Sequence, residues 1–89
     1  MIETRVRLTA RMYEVRDTVR RISKDYRKNI AKVRPYINAA MLTWDFNEIQ
    51  AAQWMMVDMQ KRAPGSETAQ MLVLATAVEM IESDTEPKP

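Results

Sequence analysis

Leu8, Met12, Val15, Val19, Ile22, Tyr26, Asn29 and Val33 are spaced alternately four and three residues apart. This is the heptad spacing of a helix that presents one apolar seam, with a single polar position at Asn29. Neither Gly nor Pro interrupts residues 1–34, and Ile2 and Val6 are placed to continue the seam upstream. The spacing predicts one long N-terminal helix of about 45 Å, ended or sharply kinked by Pro35.

The remaining segments also read as helices. Proline suits a first helical position, so Pro35 opens a short helix or helical turn over YINAAMLT. Asp45 with Glu48 three residues on is a carboxylate form of the capping box, and Trp44 with Ile49 is spaced as a hydrophobic staple. Ile49, Ala52, Met56 and Met59 carry the next seam, and Lys61–Arg62 suit its C-terminus. Ala63-Pro64-Gly65 is the clearest turn, and Ser66 is placed to cap a last helix. That helix has a seam of Met71, Leu74, Val78 and Ile81, widened by Val73, Ala77 and Met80. No segment alternates as a strand does.

The expected fold is therefore all-α: a small helical bundle with one long heptad-patterned helix and two or three shorter ones. Residues 1–83 make a single domain, and 84–89 a mobile tail. Two helices of about 25 Å do not cover a 45 Å seam, so a homodimer or higher oligomer is one expected solution.

Composition then removes several kinds of chemistry. The 89 residues contain no Cys and no His, which rules out disulfides, thiolate chemistry and the commonest general base and metal ligand. The single Gly, Gly65, cannot build a phosphate-cradling glycine loop. Paired carboxylates at Asp45/Glu48 and Glu79/Glu82 share helix faces, but the first pair is explained by capping and the second lies in the last turn before the tail. The expectation is a protein that is not an enzyme and carries no cofactor or metal. No apolar run reaches the length of a membrane span and the N-terminus has no secretory pattern, so a cytoplasmic location is expected.

Charge is the remaining signal. Residues 1–34 hold eleven Lys/Arg and four Asp/Glu, a net +7, whereas residues 35–89 hold three and eight, a net −5. The stretch RRISKDYRKNIAKVR, residues 20–34, has seven bases against one acid. On a continuous helix Arg20, Arg21, Lys24, Arg27, Lys28 and Lys32 occupy an arc of about 140° behind the seam. Within it Arg20, Lys24, Lys28 and Lys32 form a like-charged i,i+4 line with few nearby acids. The ridge is either the solvated back of an amphipathic helix or a surface that contacts phosphates or acidic protein. A pocket for a small phosphate ligand would need bases converging from a second helix or a second copy, because one helix is convex. Tyr13 points to the basic side and is placed to stack on a base. In QWMMVDMQ, residues 53–60, Trp54 and Met55 fall off the seam, which fits either a helix buried on two sides or an adaptable docking surface.

The leading expectation is a non-enzymatic binding protein of adaptor or inhibitor type. It engages a larger protein or nucleoprotein complex through the basic ridge and the Trp/Met surface. The alternative is a helical dimer that binds nucleic acid or a phosphate-rich ligand such as a nucleotide through the same ridge. A purely structural oligomer is a third reading. Binding is assigned to Arg20, Arg21, Lys24, Arg27, Lys28, Lys32, Tyr13, Trp54 and Met55.

Overall fold

The computed structural model describes residues 7–85, with side chains through Ser83. Ile2, Val6 and most of the C-terminal tail lie outside the described residues. The described chain is an all-α bundle of four helices: α1 (Ala10–Ile22), α2 (Tyr26–Trp44), α3 (Glu48–Arg62) and α4 (Glu67–Thr85).

The expected long N-terminal helix is broken. α1 is capped by Thr9, whose side chain accepts from the Met12 N–H, and it stops after Ile22. Ser23 is extended, with φ −93° and ψ 116°. Ser and Asp favour local alternatives to the helical hydrogen-bond ladder, and Ser23-Lys24-Asp25 supplies both. Asn29 Nδ2 then donates to Ser23 Oγ at 2.8 Å across the break. The polar position in the heptad seam therefore ties the corner rather than facing a partner helix. An unbroken helix from Ala10 to Trp44 would be about 52 Å long, longer than the 42 Å greatest extent of the fold.

Pro35, expected to end a helix or start one, lies inside α2. It removes one ladder bond, the one that would reach the Ala31 carbonyl. Both Ala31 and Pro35 are exposed, so the released carbonyl opens to water. α2 therefore runs for 19 residues and includes the YINAAML segment.

Asp45 does not cap α3. It follows α2 in the left-handed conformation at φ 54°, which the short polar side chain of Asp tolerates. The N-cap of α3 is Asn47, which exchanges reciprocal hydrogen bonds with Gln50 in a capping box. Trp44 is correspondingly not a staple to Ile49; its ring stacks on Phe46 at 5.9 Å. Between α3 and α4, Gly65 takes φ 92°, the conformation that makes glycine the natural choice there. Ser66 donates its hydroxyl to the Ala63 carbonyl at 2.8 Å and closes that turn.

α4 is the central helix, packed against α1, α2 and α3, while α2 also packs on α3. Val73, Ala75, Thr76, Ala77, Val78, Met80 and Ile81 are all buried. A helix with apolar residues on every side belongs inside a bundle rather than at its surface. Small residues let it approach its neighbours closely, with Ala51 and Ala52 of α3 buried in the same cluster as Ala77. Ile37 and Ala40 bring α2 into the same core, and Leu8 and Met12 reach it from the N-terminal side. Thr76, the one buried polar residue among the described residues, satisfies its hydroxyl on the Leu72 carbonyl at 2.8 Å. Among the described residues no helix is long and apolar enough to cross a membrane.

Candidate functional site

The break at residues 23–25 turns a convex ridge into a corner. An open hollow of about 850 Å³ forms where α1 ends and α2 begins, and Arg20, Lys24, Arg27 and Lys28 line it. Ser23, Asp25, Tyr26 and Ile30 complete its walls, and Glu79 enters from α4. The straight i,i+4 line expected from Arg20 to Lys32 does not exist. Only Lys28 and Lys32 share one helix at that spacing. Arg21 and Lys32 are exposed but do not line the hollow.

The four cations are not equivalent. Arg20 is ion-paired with Glu79, Nη2 to Oε1, at 2.6 Å, and its guanidinium lies 5.7 Å from the Tyr26 ring centre. The Tyr26 hydroxyl donates to the same Glu79 oxygen at 3.0 Å. Arg20 is thus partly committed to joining α1 to α4. Lys24, Arg27 and Lys28 have no acidic partner among the described residues.

Arg16 is the other α1–α4 tie. Its side chain is only 12% exposed, and it pairs with Glu82, with Asp17 at 3.2 Å and with Glu79 at 3.8 Å. Burial works against the charged guanidinium, but the charges of Glu82, Asp17 and Glu79 and the Asp17 hydrogen bond outweigh it and hold its pKa above the ordinary value. Glu79 and Glu82 therefore sit against α1 as counter-charges, in a helix that runs on to Thr85, past the expected start of the tail. Asp17 accepts from Arg16 Nε at 3.2 Å. Tyr13 is 38% exposed and lies under the Arg16 guanidinium at 5.2 Å, away from the hollow.

Tyr26 titrates with the corner. Burial first, then its hydrogen bond to Glu79 and that carboxylate's charge, push its hydroxyl up to about 12. A folded pKa above the ordinary ~10 means the neutral phenol is favoured by folding. Its contribution is full below pH ~10 and is lost as pH rises through about 12. Chemical denaturation of the wild type and Tyr26→Phe should therefore give a stability difference that is constant from pH 7 to ~9 and changes between ~10 and about 12. A difference that stays flat through pH 12 would show that burial and Glu79 together do not raise the Tyr26 hydroxyl on folding.

Trp54 and Met55 belong to a second depression, of about 330 Å³, between α2 and α3. Tyr36, Ala39 and Thr43 form its α2 side, and Met59 contributes to its apolar lining. Trp44 and Trp54 meet at its end with ring centres 4.4 Å apart and planes inclined at 41°. Arg62, ion-paired with Asp58 at 3.2 Å, stands at its rim.

The nine residues assigned to binding thus separate into four at the corner (Arg20, Lys24, Arg27, Lys28), two in the α2–α3 groove (Trp54, Met55), and three elsewhere on the surface (Tyr13, Arg21, Lys32). Tyr26, Glu79, Tyr36 and Trp44 complete the two sites and had not been assigned to binding. Tyr36 lies four residues after Lys32, a relation hidden by reading Pro35 as a helix boundary. Among the described residues no cluster of acidic side chains is arranged to hold a metal ion. Comparison with protein-family models, curated proteins and solved structures finds no match for this chain.

Proposed function

We propose that this chain is a non-enzymatic helical binding protein that engages nucleic acid, alone or within a nucleoprotein complex, through the basic corner. The observation carrying this reading is that Arg20, Lys24, Arg27 and Lys28 converge on one hollow, three of them without an acidic partner among the described residues. Gathered on a small surface, Lys24, Arg27 and Lys28 repel one another. A polyanion relieves that repulsion. Phosphate oxygens are the natural acceptors, because lysine ammonium groups and arginine forks contact them without needing a base sequence.

The reading has a quantitative signature. If three or four cations each neutralise one phosphate, the logarithm of affinity falls against the logarithm of salt with a slope of about −2.7 to −3.6 on duplex DNA. Between ~50 and ~200 mM salt, binding then weakens about 40- to 150-fold. Fluorescence anisotropy with a labelled duplex and a labelled single strand measures this directly. No binding to either at ~50 mM salt overturns the reading and leaves an acidic protein surface, or a structural oligomer, as the use of the ridge.

A further inference from the structure

Because Pro35 does not end α2, one face of that helix joins the two depressions. At 100° per residue, Lys28, Lys32, Tyr36, Ala39 and Thr43 fall within about 80° of one another. Lys28 lines the basic hollow. Tyr36, Ala39 and Thr43 line the groove that ends in Trp44 and Trp54. Lys32 lies on the same stripe between them, exposed and without an acidic partner among the described residues. From Lys28 to Thr43 the stripe is about 22 Å long.

We infer that this stripe is a binding track for single-stranded nucleic acid, with phosphates held from the corner to Lys32 and unpaired bases stacked on Tyr36 and the Trp44/Trp54 pair. The inference rests on the basic corner's being a nucleic-acid site and adds which form of nucleic acid it takes. Cations followed by aromatics along one line is the arrangement that accommodates a strand whose backbone is anionic and whose base faces are open. A duplex, with its bases stacked inward, can use the cations but has no faces to offer the rings. The aromatics are available for this role. Tyr36 is 68% exposed, and Trp54 is 41% exposed within the groove. The length fits a short site, near the lower end of the ~4–16 nucleotides typical of stacking platforms. An apolar protein segment would suit the Trp/Met floor alone, but not a groove approached along Lys28 and Lys32.

The test uses the full chain with an oligothymidylate of about twelve nucleotides and a duplex of equal length. Tryptophan fluorescence should be quenched on adding the single strand and not on adding the duplex. Tyr36→Ala should weaken single-strand binding about 5- to 150-fold, the range for losing one stacked base, and change duplex binding less than about twofold. Trp54→Ala should do the same. Because Trp54 also supports α3, its effect is interpreted only where far-UV circular dichroism matches wild type, whereas the exposed Tyr36 carries the decision. If both nucleic acids bind with the expected salt dependence but Tyr36→Ala affects neither, or both equally, the track is wrong while the basic corner stands. Binding by neither form overturns both.

Discussion

Replacing Ile37 with Ala should lower stability by about 3–4 kcal/mol, the usual cost of emptying a fully buried Ile site. Ile37 is 0% exposed and lies within the core shared by α2, α3 and α4. It stands two residues beyond Pro35, so it helps hold α2 to the core just past the one interruption in that helix's ladder. A domain of this size has about 4–12 kcal/mol in total, and the loss corresponds to a fall in melting temperature of about 15–25 °C. Leu42 on the same helix is the internal comparison, since it is 88% exposed. Leu42→Ala should stay within about 0.5 kcal/mol of wild type. Thermal and urea denaturation followed by circular dichroism measure both. Equal, small effects would mean that α2 does not dock through Ile37, and the stripe joining corner and groove would lose its support.

The same helix shows where sequence reasoning reached its limit. The all-α bundle was legible because apolar residues recur at helical spacing throughout, and α4 carries them on every side. The break after Ile22 was not legible from periodicity. Heptad spacing records where side chains point if a helix exists, and it continues across Ser23–Asp25 without registering that the backbone leaves helical dihedrals. The local signals were Ser23, Asp25 and the polar Asn29, which now meets Ser23. Pro35 misled in the opposite direction. Proline is disruptive when the carbonyl it orphans is buried, and here Ala31 and Pro35 both face outward. Exposure of one face of one helix is decided by tertiary packing, which a single chain's pattern does not record. For the candidate site, the basic residues were identifiable from charge alone, but their convergence followed from the break. The groove joins Trp44 to Trp54 through the turn between α2 and α3, and only the fold sets that geometry.

Reversing Lys24, Arg27 and Lys28 to Glu together should abolish nucleic-acid binding under the proposed function while leaving the bundle folded. All three are exposed and none is held by an acid among the described residues, so helicity and melting temperature should change little. Arg20 is deliberately spared. A carboxylate there would face Glu79 and the Tyr26 hydroxyl, and would disrupt the α1–α4 contact as well as the hollow. Each phosphate contact removed should lower the salt slope by about 0.9, so the triple variant should lose about 2.7 of the slope. At ~50 mM salt the added negative charges should raise the total loss above about 100-fold. Net charge falls from +2 to −4, because three reversals change it by six, and that alone would reduce attraction to any polyanion. Arg7, Arg11 and Lys61, exposed residues that do not line the hollow, provide a variant with the same net change when reversed. If binding depends on the hollow, this control should keep most of its salt slope and bind more weakly only through the general field. Equal loss in the two triples would reduce the corner to one part of a diffuse positive surface. A large difference between them would assign the phosphate contacts to the corner made where α1 stops at Ile22.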